Sequence, residues 1–429
     1  MAMNRRLPLL SLLLLASGAL YAAASLWQNG LPANYWQWRH ELVLLSGVQL
    51  MAVMSAAMLL AVRPRWLEPL LGGLDRLYAL HKQLGIAAGL LLAAHWLVKL
   101  SPKLMLALDW VAPRIRSGGG GKDPLVSLAK DMGEWAAWAV LAMVILALLR
   151  AVPYRFWRKL HKLFAPLYLM GAFHGLILMP AEMWAQPVGW LLAALMLIGS
   201  GCALYSLAGR IGKQSQCAGR VCGVETLPAG QLEVICQMDA WPGHRAGQFA
   251  LVSFDAAEGA HPFTIASADH GDGRLRFIIK ALGDYTRRLP TELQIGQAVT
   301  VEGPYGRFQP RGGARQAWVA GGIGVTPFLA WLQSREVAEE QLDVDFYYCV
   351  RSRGEAARLE EVRQACHQHG VRLHLIESEA GALLNADMLP EVDEVWFCGP
   401  QGLGEALRRG LKQRGAQAPA FHHEAFSMR

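Results

Sequence analysis

Residues 77–100 read LYALHKQLGIAAGLLLAAHWLVKL, and residues 160–179 read LHKLFAPLYLMGAFHGLILM. Both stretches are apolar enough to cross a bilayer as helices. They carry four histidines in two pairs: His81 and His95, then His161 and His174. The members of a pair are 14 or 13 residues apart, which on a helix is about 20 Å. In a hydrocarbon core about 30 Å thick, one histidine of each pair would lie near each face. Two stacked bis-imidazole sites are the ligand set for two six-coordinate haems, so we predict haem ligation.

Hydropathy predicts six membrane spans in the first half of the chain. They cover Leu7–Trp27, Glu41–Val62, Leu77–Leu100, Trp135–Ala151, Leu160–Met179 and Val188–Ala208. Basic loops follow the second and fourth spans, so the positive-inside rule places the amino terminus and the second half of the chain in the cytoplasm. The cationic connection from Ser101 to Glu134 falls outside and disagrees, but long loops obey the rule poorly. Three interpretations of its cations stay open: they bind haem propionates, they attract an anionic acceptor, or they belong to an ordinary solvated loop.

This topology decides which histidines share a leaflet. The third and fifth spans both run outward, which pairs His81 with His161 inside and His95 with His174 outside. Helical phase supports the pairing only partly, because fourteen residues at about 100° each return His95 to near the direction of His81, whereas thirteen do not return His174 to that of His161. Pro166 lies between the latter two, and a kink there is one way to re-aim a ring. A single buried histidine is more often a satisfied core residue; two pairs at matched depth favour ligands.

Composition separates the two halves of the chain. Of 429 residues, 53% are hydrophobic, and most of the first 210 fall into long apolar runs. The net charge of +7 is concentrated in short loops between those runs, which is a topology signal, and we expect no nucleic-acid partner. Six of the seven cysteines lie in the second half without a metal or disulfide spacing, which suits a reducing compartment.

The second half changes to short β-type runs separated by Gly, Pro and Asp turns, which predict a small antiparallel barrel. The runs are Leu232–Gln237, Gln248–Phe254, Leu275–Ile279 and Ala298–Glu302. Strands then alternate with helical stretches, which predicts a parallel α/β domain. These strands are Ala317–Gly321, Val344–Val350, Leu373–Glu377 and Val395–Cys398. We therefore predict a multidomain membrane protein: a six-helix bundle (1–212), an antiparallel β-barrel domain (213–312) and a parallel-sheet α/β domain (313–429).

Three motifs in the barrel predict a flavin site. Residues 261–267 read HPFTIAS, an extended segment that offers a backbone wall and a hydroxyl near a reactive ring nitrogen; alone it could equally be a strand followed by a turn. Residues 280–286 read KALGDYT, where a glycine turn before a helix start can receive a pyrophosphate. Residues 303–306 read GPYG and close the barrel.

Two glycine turns predict a nucleotide site in the parallel domain. Residues 321–327 read GGIGVTP between a strand and a helix, where glycines let phosphates approach the backbone. Residues 398–400 read CGP at the same edge of the sheet. Arg351 and Arg353 follow the second strand, where guanidinium groups suit a 2′-phosphate, so NADPH is favoured over NADH. Glu355 keeps NADH open, and a solvated loop is the alternative for both arginines.

Residues 421–429, FHHEAFSMR, contain one more aromatic of interest. His422, His423 and Glu424 invite a metal interpretation, but adjacent residues on a strand point to opposite faces, so we set it aside. Phe426 is positioned to cover the flavin ring where the nicotinamide must stack.

Together, the histidine pairs and these motifs resemble the ferric reductase/NADPH oxidase superfamily. The resemblance implies an inner haem b on His81 and His161, an outer haem b on His95 and His174, FAD and NADPH. The residues implied along FAD are His261, Pro262, Phe263, Thr264, Lys280, Gly283, Tyr285, Thr286 and Phe426. Those implied along NADPH are Gly303, Pro304, Gly322, Ile323, Gly324, Thr326, Arg351, Arg353, Cys398, Gly399 and Pro400. Thr264, Cys398 and Phe426 are the implied catalytic residues.

The function expected from this resemblance is electron transfer across a bacterial inner membrane. Cytoplasmic NADPH reduces FAD, and the haems pass electrons singly to an outer acceptor, with oxygen giving superoxide as the first hypothesis. A ferric-chelate reductase shares every motif, and an electron-delivery subunit for a periplasmic protein or quinone is a third hypothesis. A haem-free transporter or scaffold with an inert flavoprotein-like tail is the last alternative.

Overall fold

The computed structural model describes residues 6–114, 123–148, 154–310, 314–334, 342–415 and 418–424. The chain forms two compact units. The first comprises the residues up to Ile211 except Gly72–Asp75, and the second comprises that short segment and the residues from Gly212 onward.

The first unit is helical. Its helices are α1 (Arg6–Asn29), α2 (Tyr35–Ala61), α3 (Leu67–Leu71), α4 (Leu74–Ala107), α5 (Pro124–Leu148), α6 (Tyr154–His161), α7 (Phe164–Leu178), α8 (Ala181–Trp184) and α9 (Pro187–Leu207). Within the described residues, four helical segments are long and apolar enough to cross a membrane: Leu9–Asn29, Tyr35–Ala61, Leu74–Ala107 and Pro187–Leu207. A membrane-helical first half is thus confirmed. The fourth and fifth predicted spans overlap α5, which begins eleven residues earlier than predicted, and α7, which is shorter than predicted. The six-span count stays a prediction, because α7 has only 15 residues.

The helices of the first unit bury two apolar clusters. One lies among α1, α2, α7 and α9, and the other joins α2, α4 and α5 around Leu50, Leu92 and Val140. Large apolar side chains on the outward faces, such as Leu90 and Leu197, are exposed. Helices that are apolar on all sides are typical of a bundle whose outer surface meets lipid.

The chain does not run as one helix from His161 to His174. Helix α6 ends at His161, a turn follows, and α7 begins at Phe164. Pro166 has no N–H, and its ring would clash with the carbonyl of Lys162, four residues earlier, so a continuous helix is disfavoured there. The break lies just before Pro166 rather than at it, and it removes the phase mismatch expected for a single straight helix.

The second unit begins with a six-stranded antiparallel sheet. Its strands are β1 (Gln216–Leu227), β2 (Gln231–Met238), β3 (Phe249–Ser253), β4 (His261–Thr264), β5 (Arg274–Ile279) and β6 (Ala298–Tyr305), in the order β4-β3-β6-β1-β2-β5. Just beyond β4, Ile265 forms an isolated bridge with Phe277 of the opposite edge strand. The antiparallel sheet is confirmed, whereas a fully closed barrel stays a prediction.

A five-stranded parallel sheet follows in the same unit. Its strands are β7 (Gln316–Gly321), β8 (Val344–Val350), β9 (Arg372–Glu377), β10 (Glu394–Cys398) and β11 (Ala420–His423), in the order β11-β10-β7-β8-β9. Helices α10 (Asp284–Glu292), α11 (Thr326–Leu332), α12 (Leu359–Gln368) and α13 (Gln401–Lys412) complete the described unit. The central strand β7 is buried along its whole length, as expected for a parallel sheet covered on both faces. The parallel domain is confirmed, and its carboxyl edge carries both predicted nucleotide turns.

Candidate functional site

The first histidine pair joins α4 to the end of α6. The rings of His81 and His161 have centroids 6.0 Å apart, with their planes at 67°. An imidazole nitrogen lies about 2 Å from a bound metal and about 1 Å from its own ring centroid, so two imidazoles on opposite sides of one metal have centroids about 6 Å apart. The spacing therefore fits a shared iron. The Nδ1 of His161 is buried and has no hydrogen-bond partner among the described residues, so this ring keeps a polar atom that the protein itself does not use.

The second pair joins α4 to α7. His95 and His174 lie close enough to interact electrostatically. Ser46 donates its hydroxyl to the carbonyl of Leu42 at 2.6 Å, which leaves its oxygen free to accept from Nδ1 of His95 at 2.9 Å. The Nδ1 of His174 donates to the carbonyl of Ala129 at 2.9 Å. Each ring then presents Nε2 without a proton.

His81 is held in the same way, because its Nδ1 donates to the carbonyl of Ala57 at 3.1 Å. Three of the four predicted ligands thus have a fixed acceptor on Nδ1 and an Nε2 lone pair available for a metal. Metal-bound histidines are oriented by this type of outer hydrogen bond. The supporting groups of Ser46, Ala57 and Ala129 come from helices distant in sequence, so spacing rules within one helix could not find them.

One glycine makes the second pair possible. A Cβ on Gly133 of α5 would lie 2.1 Å from Nδ1 of His174, so any larger residue there collides with the imidazole. Sequence reasoning missed Gly133, although a glycine inside a helical pattern is a signal for close packing, since it weakens a helix by about 1 kcal/mol relative to alanine. Across the described residues, His, Cys, Asp and Glu form no group of three or more that could hold a bare metal ion. Pairs suffice for haem, whose porphyrin supplies the other ligands.

Most of the predicted flavin residues lie on β4 or at the start of α10 in the antiparallel domain. His261 stacks on Tyr285 with ring centroids 4.5 Å apart and on Phe263 at 6.5 Å. Thr264 is buried at the end of β4, opposite Phe249 of β3. The structure thus brings the HPFT segment and the start of α10 together.

The turn before α10 is built around Thr286. Its hydroxyl oxygen accepts from the backbone N–H groups of Leu282 and Gly283, both at 3.0 Å. No atom lies within 4 Å of the position that a Cβ on Gly283 would occupy, so this helix start is open to a ligand. A helix N-terminus of this kind suits a pyrophosphate. Lys280 instead approaches Glu355, with 3.7 Å between Nζ and the carboxylate.

The two glycine turns of the parallel sheet touch each other. A Cβ on Gly324 would lie 2.0 Å from the carbonyl oxygen of Cys398, and one on Gly321 would lie 2.4 Å from Cδ of Pro400. Glycine is therefore required sterically at both positions. Gly322 has φ +56 and faces open space, which leaves its backbone accessible to a phosphate.

The remaining predicted nucleotide residues are placed as follows. Ile323 and Thr326 lie in the GGIGVTP turn, where the Thr326 hydroxyl donates to the Ile323 carbonyl at 3.1 Å. Gly399 packs on Gly321, whereas Gly303 and Pro304 lie inside β6 of the other sheet.

A buried acid lies beside the predicted catalytic cysteine. Cys398 ends β10, and Glu424 follows β11 with both residues almost completely buried. Burial, and secondly the charge of Glu424, raises the pKa of Cys398 well above its usual value, so its sulfur stays a thiol. Burial also raises the pKa of Glu424 well above its usual value. The sequence interpretation weighed Glu424 only as a metal ligand and missed this position. Phe426 lies outside the described residues.

The predicted 2′-phosphate arginines are exposed at the end of β8. Arg351 approaches Glu355 at 3.8 Å and Glu379 at 3.4 Å. Arg353 approaches Glu360 at 3.7 Å. Both guanidinium groups therefore already have carboxylate partners, and the preference for NADPH stays a prediction.

Comparisons with known proteins match the two halves of the chain to two families. A family model for the ferric reductase like transmembrane component matches residues 46–172, and one for an FAD-binding domain matches residues 219–309. The chain is 27% identical over 209 residues to the carnitine monooxygenase reductase subunit of Escherichia coli strain K12, covering 47% of this chain and 60% of that protein. It is 30% identical over 168 residues to the vanillate O-demethylase oxidoreductase of Pseudomonas putida, covering 37% and 52% respectively. The chain thus spans between about half and three fifths of these relatives.

One solved structure is similar over most of the chain. The flavohemoglobin from Malassezia yamatoensis, crystallised with FAD and heme, has a TM-score of 0.50 and 13% identity, with 95% of this chain and 98% of that chain covered. At this identity the likeness is one of fold alone.

Proposed function

We propose that the chain belongs to the ferric reductase/NADPH oxidase superfamily, because it carries these two domains in this order. In this proposal it moves electrons from NAD(P)H through FAD to an acceptor across a membrane. The chain is an oxidoreductase. The observation that carries the transmembrane step is the pair of histidine sites in the helical unit. No other described feature of that unit offers a redox-capable donor set at two depths.

The residues fit two haems. His81 with His161 would hold one, and His95 with His174 the other, each pair at a different depth along α4. Bound haem supplies one-electron redox chemistry. The protein's part is to fix the rings, which the acceptors on Nδ1 and the glycine at position 133 do. If two histidines held each haem, no coordination site would be left for an acceptor, which would then take its electron at the periphery of the outer site.

The second unit would supply the two-electron half of the reaction. Thr264, Tyr285 and the start of α10 would position FAD, and the contacting turns 321–327 and 398–400 would position the nicotinamide nucleotide. A flavin is required between the two halves, because the nucleotide gives up a hydride whereas haem accepts single electrons. Cys398 is almost completely buried and remains a thiol, so it would not act as a nucleophile. Phe426 would cover the flavin ring before the nicotinamide arrives.

The setting we propose is a bacterial inner membrane, with the amino terminus and the second unit on the cytoplasmic side, as the basic loops indicate. Oxygen, giving superoxide, is the leading acceptor. Ferric chelates and a periplasmic protein or quinone remain alternatives, supported by the cations of the connection between α4 and α5.

Stopped-flow absorbance tests this function. The purified protein is reduced with NADPH without oxygen and then mixed with air-saturated buffer. Fast haem reoxidation with dismutase-sensitive superoxide supports the oxidase. Haems that stay reduced in air but reoxidise with ferric citrate or a periplasmic extract support the other acceptors, and protein without haem contradicts the proposal.

A further inference from the structure

The end of β8 is crowded with carboxylates. Arg351 lies between two of them, with 3.8 Å to Glu355 and 3.4 Å to Glu379. Glu355 also faces Lys280 at 3.7 Å. Glu379 follows β9, almost thirty residues further along the chain, and only the structure brings it to this position.

Two hydrogen bonds from backbone N–H groups join the segments that carry these carboxylates and arginines. The N–H of Glu379 donates to the carbonyl of Arg351 at 2.9 Å. The N–H of Arg353 donates to the Glu377 carboxylate at 2.7 Å. These two hydrogen bonds connect the loop after β8 to the end of β9, and they place the backbone of Glu379 and the carboxylate of Glu377 beside the arginines.

The charge of this edge discriminates between the two nicotinamide nucleotides. In nucleotide-binding α/β sheets of this type an acid accepts from the ribose 2′-hydroxyl of NADH, and an arginine receives the 2′-phosphate of NADPH. A phosphate monoester carries about two negative charges near neutral pH. At this edge a 2′-phosphate meets a surface whose positive charge is already compensated, because four carboxylates oppose three cations. The carboxylates are those of Glu355, Glu360, Glu377 and Glu379, and the cations are Lys280, Arg351 and Arg353. The ribose 2′-hydroxyl of NADH instead meets carboxylates that can accept its hydrogen bond.

We propose that Glu379, together with Glu355, makes this site prefer NADH over NADPH by engaging Arg351 and by accepting from the ribose hydroxyl. The inference rests on the proposed NAD(P)H oxidoreductase function and names its electron donor. Arg351 and Arg353 considered alone favour NADPH. Their glutamate partners reverse this preference in favour of NADH.

The test compares E379Q with D343N in the full-length purified protein. Asp343 is a matched control, because its side chain is 57% exposed like that of Glu379 and it also pairs with an arginine, Arg372 at 2.7 Å. It lies before the opposite end of β8. The assay is NADH- or NADPH-driven ferricyanide reduction: each nucleotide gives a hydride to the flavin, two ferricyanide ions are reduced, and one proton is released.

We expect the wild-type protein to show a higher kcat/KM for NADH than for NADPH. E379Q should lower the NADH-to-NADPH ratio by about tenfold, the change produced by one interaction of about 1.4 kcal/mol, while D343N leaves the ratio unchanged. A wild-type preference for NADPH, or an equal shift in both variants, would overturn the proposal. Ferricyanide takes electrons from the flavin directly, so this result is independent of whether electrons cross the membrane.

Discussion

At the scale of single residues, the position of His174 in the second histidine pair depends on the absence of a side chain at Gly133 of α5. His174 donates to the carbonyl of Ala129, and the next turn of α5 carries Gly133, which has no side chain to exclude the ring. The His174 ring, a proposed haem ligand, is therefore positioned by a backbone carbonyl and by the absence of a side chain at Gly133. Neither has a sequence motif, so the residues that hold a cofactor ligand are harder to find than the ligand.

The first prediction concerns that space. G133A places a methyl group 2.1 Å from Nδ1 of His174, so we expect the ring to be displaced and reduction of an outer acceptor to fall by about tenfold or more, the scale seen when the outer shell of a metal ligand is disturbed. Haem content should fall as well, whereas NADPH–ferricyanide activity should be unchanged. The matched control is G85A in α4, where nothing lies within 4 Å of the added Cβ. Equal behaviour of the two variants would show that His174 is not constrained by α5.

The second prediction concerns the pH dependence conferred by Glu424. Burial raises its pKa in the folded protein, above an unfolded value of about 4.3. The native state then binds more protons than the unfolded state, so stability is full below pH about 4.3 and declines as pH rises toward the folded pKa. We expect E424Q to flatten this decline, measured as the thermal midpoint of the second unit between pH 5 and 8. E405Q, an exposed glutamate on α13, should follow the wild-type profile, and a parallel decline in E424Q would contradict the assignment.

At the scale of elements, one partly buried cluster of charges connects the two sheets of the second unit. Arg276 of β5 donates from both terminal nitrogens to Glu361 of α12, each at 2.7 Å, and from Nε to Glu233 of β2 at 2.7 Å. Arg358 reaches the same Glu233 carboxylate at 2.8 Å from the parallel domain. The two domains are therefore connected by bidentate ion pairs as well as by apolar packing.

The third prediction tests this connection. Burial alone would raise the pKa of Glu361, but the hydrogen bonds and charge of Arg276 outweigh it and leave the pKa lowered. E361Q should destabilise the second unit by about 1–2 kcal/mol, allowing for the partial exposure of the pair. The loss should shrink below pH about 4, because protonation removes the wild-type advantage as pH falls through the lowered pKa. E360Q, at the neighbouring exposed glutamate, should change stability by less than about 0.5 kcal/mol. Chemical denaturation of both variants measures the free energy of unfolding. Equal losses of stability in E361Q and E360Q would show that the ion pair of Glu361 does not stabilise the second unit.

Element prediction from the sequence succeeded where periodicity is strong. Four strands of the parallel sheet, β7 to β10, were located to within one residue at every end, because apolar runs bounded by turns have few alternative structures. The fifth strand, the short β11, was not among the predicted strands. The strand β1 was missed, since its residues alternate with glycines and polar side chains and its register shifts between Val221 and Gly223. A kink at Pro166 was one possibility that the sequence left open, and the helix breaks just before this residue, between α6 and α7. The rule that proline disfavours a continuous helix indicates that a break is near. The residue at which the helix breaks depends on how α6 and α7 pack.

At the scale of the whole molecule, hydropathy and strand patterns predicted a membrane-helical first half followed by an antiparallel and a parallel sheet, and the structure shows all three. The pairing of four histidines as haem ligands stays a prediction, although the structure places His81 beside His161. The partners Ser46, Ala129, Glu379 and Glu424 could not be predicted, because each reaches its site from a distant part of the chain. The proposed function needs a two-electron donor site in one unit and one-electron sites in the other. Each half should therefore be separable by substitution.

The last prediction uses that separability. H174L removes one outer ligand, so we expect transfer to an acceptor across the membrane to be abolished while NADPH–ferricyanide activity persists. The protein is reconstituted in vesicles that contain trapped cytochrome c, and NADPH is added outside, so that only electrons crossing the bilayer are counted.

H40L is the control, because His40 lies in α2 at the predicted outer boundary and belongs to neither pair. If H174L reduced trapped cytochrome c at the wild-type rate, the outer pair would not lie on the electron path. If H174L instead lost the ferricyanide activity as well, the two units would be coupled through folding, and His174 would have to be assigned a structural role.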